Sequence, residues 1–516
     1  MTRRILLLAP LLALALTGGC DKQKTCSSDL TRCGGTCAKL DADRANCGAC
    51  GHACGAGESC YAGACLCPFA TTCGGACVDF ASDPAHCGAC EIACAGATVC
   101  TTPSGGSATC AATCAAGQTA CGRACVDLQT NPQSCGACGR ACGSGERCTA
   151  GRCVADLYLA CFNSDEVREA TGALAAAGLP IAVAKGPAGL AWAGDSLGVI
   201  SGATGGAETL TMLRFDPPGL RQSQVWQTSA AQPDVEYVAE HGGLLYVSHN
   251  SLGTLLVLTP AGQVVDEVRL VASGAPNPNP QGIAFDAAER AYVALQQSGE
   301  VVVLDVSGVP SCAAGTASPP CTHEVARLDL NPLASPTATP MPARVAVVGG
   351  RAFVTLWNLD GSWSAPAGST GRLAVIRTDT ATLDADFAGT TPGGLLDLGP
   401  DCLNPADLAE HAGKLYVTCG AFDYSNYPAV AIIGSGIVPV DVSGATAQVL
   451  PRIAAAAGQA PGKLAFCGTT GYVGDRNSGT VWVLDPTSGS TTLGAGVALC
   501  PPSGGYAYIA DIACGR

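Results

Sequence analysis

The chain has 516 residues and a formal net charge of −14 at pH 7, from 27 Lys+Arg against 41 Asp+Glu. So acidic a surface repels polynucleotides and anionic lipid headgroups, which excludes a nucleic-acid partner. With 67 Gly, 48% hydrophobic and only 5% aromatic residues, the composition fits a β-rich body packed from Ala, Val and Leu.

In chain order the first feature is an export signal. Arg3 and Arg4 form a basic start, and Ile5 to Leu16 an apolar stretch of twelve residues, too short to span a bilayer as a helix. Gly18 and Gly19 then precede Cys20. This run resembles the lipobox of bacterial lipoproteins. The resemblance implies a diacylglyceryl group on Cys20, cleavage before it, and an amino-terminal acyl anchor in a lipid membrane. The alternative is an ordinary secretory signal ending in a chance Cys. Cysteine arithmetic favours the lipid: of 33 Cys, Cys20 stands alone and the others fall into four sets of eight. Even sets in an exported chain predict disulfides.

Residues 20–154 follow as a cysteine-rich segment with nine Lys+Arg against ten Asp+Glu, so the acidic excess lies almost entirely beyond it. The segment is a triple repeat over 26–65, 67–110 and 114–153. Cys33, Cys37, Cys47, Cys50, Cys54 and Cys60 recur at the same spacings as Cys73, Cys77, Cys87, Cys90, Cys94, Cys100 and as Cys121, Cys125, Cys135, Cys138, Cys142, Cys148. One further Cys flanks each unit on either side. Units of about forty residues with so few large apolar side chains cannot bury a core, so disulfides must staple them. Eight cysteines allow 105 connectivities, and sequence does not choose among them.

Each unit carries Cys-Gly-x-x-Cys and then Asn/His/Ser-Cys-Gly-Ala-Cys. In the first these are Cys33-Gly34 with Cys37, then Asn46-Cys47-Gly48-Ala49-Cys50-Gly51 with Cys54, Gly57 and Cys60. The pattern resembles the plant stigma-specific cysteine-rich proteins and their bacterial relatives. The third unit matches through Cys135-Gly136-Ala137-Cys138-Gly139. The second departs at Glu91 and in a longer gap between Cys100 and Cys110. The resemblance implies an extracellular setting and a binding or matrix role. Zinc or dithiol redox centres also use Cys-x2-Cys, but an oxidising compartment opposes both. Asp79 with Asp83, and Asp127 with Asn131, are read as solvated turn residues rather than calcium ligands, because the first unit has Lys39 and Asp43 there.

From Ala155 a longer repeat begins. An apolar-Ala step recurs at Leu190-Ala191, Val238-Ala239, Ile283-Ala284, Val345-Ala346, Leu408-Ala409, Leu464-Ala465 and Val497-Ala498, the first six of them 45 to 63 residues apart. Short alternating runs such as Leu245-Tyr246-Val247 and Gly471-Tyr472-Val473 follow, then a polar turn and a third run. This predicts four-stranded antiparallel units at the period of a propeller blade. Tyr472-Val473-Gly474-Asp475-Arg476-Asn477-Ser478-Gly479 resembles the NHL and YVTN-type propellers and, more distantly, the lactonase-like ones. The expected fold class is all-β, a seven-bladed β-propeller over 155–516 preceded by small disulfide-rich modules. Eight blades, one incomplete, is the alternative. The expected closure puts a first strand near Val497 and a second near Tyr508, with Leu157 to Val167 as second and third strands of the same blade; one second strand is then surplus.

Catalytic patterns are nearly lacking. The six His have no paired metal spacing, no Gly-x-Ser-x-Gly elbow follows a strand, and no phosphate-cradling loop opens a helix. The one candidate is a calcium-dependent lactonase-like site at Asp475, with Asp511 aligned to it. The equivalent positions hold His249, Cys419 and Cys161, so no ring of oxygen ligands emerges, and Asp475 is read as a turn residue. His241 and His411, in matching Ala-Glu-His steps, are read as loop residues at blade edges. Up to four disulfides are expected in this domain, with Cys312 and Cys321 as the favoured pair. These readings give an envelope lipoprotein, periplasmic or extracellular, with no metal and no cofactor other than calcium to consider. It would bind an unknown ligand through its propeller, with the lactonase-like hydrolase as alternative and a purely adhesive role as the third.

Overall fold

The computed structural model describes residues 31–515 except 35, 39, 41–44, 55–58, 62–63, 67–71, 74–75, 104–105, 143–145, 203–206, 216–220, 229–234, 272–275, 388–392, 424–430 and 503–506. Cys20 and the apolar segment before it lie outside the described residues. Among the described residues no helix is long and apolar enough to cross a membrane. Contacts divide the chain into two compact units, Met1–Asp79 and Phe80–Arg516, a division that falls inside the second module.

In the first unit Thr31–Cys33 pairs with Thr36–Ala38, and Ser59–Tyr61 with Ala64–Leu66. Gly34 turns the first hairpin with φ +59°, a conformation only glycine adopts without strain. Cys33–Cys50 and Cys54–Cys65 staple this unit. The third module, in the second unit, shows the full wiring: Cys114–Cys125, Cys121–Cys138, Cys135–Cys148 and Cys142–Cys153. First joins third, second fifth, fourth seventh, sixth eighth. Cys87–Cys100 and Cys94–Cys110 repeat it in the second module. Cys47, Cys73 and Cys90 are disulfide-bonded as well, whereas the side chains of Cys37, Cys60 and Cys77 lie outside the described residues. The two sulfurs of each fully described Cys-Gly-Ala-Cys step go to different partners. Cys135 joins Cys148 while Cys138 joins Cys121, so the step is neither a dithiol nor half of a zinc site.

From Leu157 on, the described residues form seven antiparallel sheets of four or five strands. Their innermost strands are Pro187–Ala193, Val235–His241, Pro280–Phe285, Pro342–Val348, Asp407–His411, Pro461–Cys467 and Ile509–Cys514. Each innermost strand packs against the next, and Ile509–Cys514 packs against both Pro461–Cys467 and Pro187–Ala193. The sheets therefore follow one another around a closed, propeller-like ring.

The sequence pattern explains the layering. Middle strands such as Leu244–His249 and Thr254–Leu258 are buried at every position, because a neighbouring sheet covers each face. They read as continuous apolar runs rather than alternating ones. Outermost strands such as Arg221–Gln227 are polar and largely exposed. The core lies between sheets: Leu255 and Val257 of one sheet pack with Ile283, Val293 and Val302 of the next.

The closing sheet differs from expectation. Ile509–Cys514 is its first strand, Leu157–Cys161 its second, Glu166–Ala170 its third and Ala176–Ala182 its outermost. Val497–Ala498 is not a first strand; it is the outermost strand of the preceding sheet, paired to Thr480–Val481. The seventh apolar-Ala step is Ile512-Ala513, and with this reassignment the surplus strand disappears. The two ends of the chain do share one sheet, three strands from the front and one from the back. Two disulfides pin that sheet to its neighbour, Cys161–Cys500 and Cys467–Cys514. Cys312–Cys321 closes the loop around the short helix Val309–Ala313, and Cys402–Cys419 ties another sheet to the loop before it.

Candidate functional site

The residue directly before each apolar-Ala step occupies the same register on its innermost strand. Around the ring these residues are Gly189, Tyr237, Gly282, Arg344, Asp407, Lys463 and Asp511. Two small, one aromatic and four charged residues thus meet at the axis. The Arg344 guanidinium lies 4.6 Å from the centre of the Tyr237 ring, and Lys463 Nζ lies 5.3 Å from it. Lys463 Nζ is also 3.7 Å from Asp511 Oδ1. The glycines make room: a Cβ on Gly282 would stand 2.6 Å from the Ala343 carbonyl.

The two aspartates have a second task. The Leu190 amide donates to Asp511 Oδ2 at 2.8 Å, and the Leu464 amide to Asp407 Oδ2 at 3.0 Å. Each carboxylate therefore bridges its own innermost strand to the next one. Burial pushes the Asp407 carboxyl above its ordinary value, opposed by Lys463 and Arg344, while Asp511 adds to the rise. Burial likewise raises the Tyr237 hydroxyl. Two cations face two anions over one ring, a neutral cluster that fills the axis with charge already paired.

Six second strands end at one side of the ring, at Cys161, Ser201, His249, Leu295, Leu356 and Asp475, and the seventh, Lys414–Asp423, shifts register at Cys419 and runs on past it. Asp511 does not belong to this set; it stands on an innermost strand, so its alignment with Asp475 is corrected. Cys161 and Cys419 are both in disulfides. Asp475 is fully buried, accepts from the Asn477 amide at 2.6 Å and turns the chain; burial raises its carboxyl. His249 stands against Glu208, with both side chains buried. Among the described residues the buried hydroxyls of Ser201, Thr209 and Thr254 have no hydrogen-bond partner. Among the described residues, the only groups of three metal-ligating side chains close enough for one ion are cysteines already engaged in the module disulfides, such as Cys135, Cys142 and Cys153.

His241 and His411 are not loop residues; each is the last residue of an innermost strand. Their rings stack on the phenylalanine of the following sheet, His241 on Phe285 at 4.3 Å and His411 on Phe466 at 4.6 Å. Both are packing elements of the repeat. The axial residues Tyr237, Arg344, Asp407 and Lys463 escaped the sequence reading, although the signal was available. They occupy one fixed offset from a marker that had been found.

Residues 101–156 match the model of the stigma-specific STIG1-like protein family, which covers the third module. No curated protein matches the chain. Among solved structures, a protein from Lactobacillus plantarum is 16% identical, with 70% of this chain and 98% of that chain covered and a TM-score of 0.47. A putative 6-phosphogluconolactonase from Bacteroides uniformis is 14% identical over 70% of this chain and 98% of its own, also at 0.47. BamB from Moraxella catarrhalis is 13% identical over 69% and 86%, at 0.38.

Proposed function

We propose that this chain is a lipid-anchored envelope protein that binds its ligand without turning it over, through a seven-bladed β-propeller carried with three cysteine-rich modules. The seven innermost strands in cyclic contact support the blade count. The acidic balance and the disulfides support an exported, non-nucleic-acid setting. The observation that carries the non-catalytic reading is the state of the positions that a lactonase-like calcium site would use. Cys161 and Cys419 are consumed in disulfides, His249 is held against Glu208, and Asp475 caps its own turn. A calcium ion needs six to eight oxygens, and one buried aspartate with two cystines does not supply them. The axis is closed in the same sense, by Arg344, Tyr237, Lys463 and Asp511.

Fractionation of cells and a turnover assay test the two halves. Wild type should sediment with membranes and Cys20→Ser should not. The soluble Cys20→Ser protein should not hydrolyse gluconolactones or phosphoesters with calcium. Unchanged sedimentation of Cys20→Ser overturns the anchor. Calcium-dependent turnover that is lost in Asp475→Ala overturns the binding role in favour of a hydrolase.

A further inference from the structure

We propose that the groove between the third module and the closing sheet is a binding site for a primary alkylammonium group, such as a lysine side chain or a diamine. The groove encloses about 610 Å³ and is lined among others by Glu146, Glu169, Leu179, Pro180, Ile181 and Phe215. Two ion pairs tie the module to the ring beside the groove, one to the residue before the closing-sheet strand and one to the hairpin of the next sheet. Arg147 Nε meets Asp156 Oδ1 at 3.0 Å, and Arg152 Nη2 meets Asp195 Oδ2 at 2.7 Å.

The site is built by a bulge. Val167 pairs with Ile181 but Glu169 with Ala177, so three residues of the outermost strand oppose one on its neighbour. At that bulge Gly178 takes φ +55°. A Cβ there would stand 2.0 Å from Glu169 Oε2 and 3.5 Å from Glu146 Oε1. The missing side chain is thus the space into which the Glu169 carboxylate is folded, and Glu146 of the module converges on the same point. Glu169 is only 6% exposed, and among the described residues no Lys, Arg or His forms an ion pair with it. A buried carboxylate without a counter-cation, in a groove open to solvent, asks for a cation.

The class of cation follows from the walls. Among the described residues no third carboxylate joins the pair closely enough for one ion, so a hard divalent ion would be short of oxygens. An ammonium needs only a few acceptors, and Leu179, Ile181 and Phe215 offer apolar surface to an alkyl stem. Of the charged and titratable groups, Glu146 and Arg140 of the module line the same groove, Tyr158 pairs with Glu169 across the strands in the field of Arg147, and Glu166 pairs with Arg168 on Glu169's own strand. Burial, reinforced by Glu146, pushes the Glu169 carboxyl up to about 8, and burial raises Tyr158 further, so that it stays neutral. An ammonium ion therefore binds the ionised form and displaces a proton.

Calorimetric titration of the full-length Cys20→Ser protein with n-butylammonium and 1,5-diaminopentane tests this, with butan-1-ol and calcium as controls. Both amines should bind at pH 9 at least tenfold more tightly than at pH 6, with proton release near neutral pH. Glu169→Gln should weaken binding tenfold or more, and Glu146→Gln should weaken it in the same direction. Butan-1-ol and calcium should not compete. Undiminished amine binding by Glu169→Gln, no amine binding at pH 9, or displacement by calcium would each overturn the site.

Discussion

Cys161 is bonded to Cys500, 339 residues further along the chain, and the bond crosses the seam where the two ends of the chain share a sheet. On one side of that seam Leu157–Cys161 pairs with Ile509–Cys514, which forms a β-ladder with no other described strand. On the other side Cys467 holds Cys514. The last strand is thus laced by hydrogen bonds on one edge and by a disulfide to the neighbouring sheet. Cross-linking across so long a loop restricts the unfolded chain strongly, by roughly 3 to 5 kcal/mol.

The pair Cys161→Ser with Cys500→Ser should therefore lower the Tm by several degrees without loss of the fold. Starting the chain at Ala155 should leave the ring folded, whereas starting past Val167 removes the second strand of the closing sheet and should unfold it. Far-UV circular dichroism and thermal melts of these truncations check both. A chain lacking Leu157–Cys161 that melts like the intact one would falsify the shared-sheet closure.

Much of this closure was legible from sequence, and the part that was not has a local cause. Six apolar-Ala steps do lie on innermost strands, four of them behind a Pro that opens the strand. Val497-Ala498 carries the same two-residue step, but the glycine-rich approach Gly494-Ala495-Gly496 and the Thr480 partner make it an outer strand. The true seventh step, Ile512-Ala513, follows Ile509-Ala510 rather than a Pro, and so lacked the marker. The disulfide wiring of the modules was illegible because spacing is indifferent to connectivity. The Glu146–Glu169 groove was illegible because it depends on a bulge and on a contact between segments that sequence treats separately.

The axial charges should behave as a coupled set. Lys463 is 5% exposed and Arg344 9%, so Lys463→Met leaves the carboxylates beside it with less compensation. A cost of roughly 3 kcal/mol is expected. In the double variant Lys463→Met with Asp511→Asn, much of that loss should return, since Asn keeps an acceptor for the Leu190 amide. A double-mutant cycle by urea unfolding reads the coupling; additive losses would show that the cluster is not a unit.

Reductant should separate the two kinds of stability. The modules contain few buried side chains beyond their own cystines, such as Val99 and Val126, whereas the ring has continuous clusters between sheets. Mild reduction of the intact chain should raise amide exchange across residues 31–153 first, while most of the β-sheet signal persists. Simultaneous loss of both signals would show that the ring depends on its disulfides as fully as the modules do.

Glu169 sets the sign of a pH effect. Its carboxyl is raised from 4.5 to about 8 in the folded chain, so between those values the folded state holds a proton that the unfolded state has released. Stability from this group is present in full at low pH and is lost as pH rises toward 8. With the side chain nearly buried, the loss should amount to roughly 2 to 4 kcal/mol. Glu169→Gln should remove most of the slope and leave the protein more stable than wild type at pH 9. Urea unfolding of both at pH 5, 7 and 9 measures it. Saturating 1,5-diaminopentane should restore wild type, but not Glu169→Gln, at pH 9, because a cation supplies what the lost proton had supplied. A wild-type curve that rises with pH would contradict the burial of this carboxyl. A fall with pH that the amine leaves unchanged would keep the burial but remove the binding site.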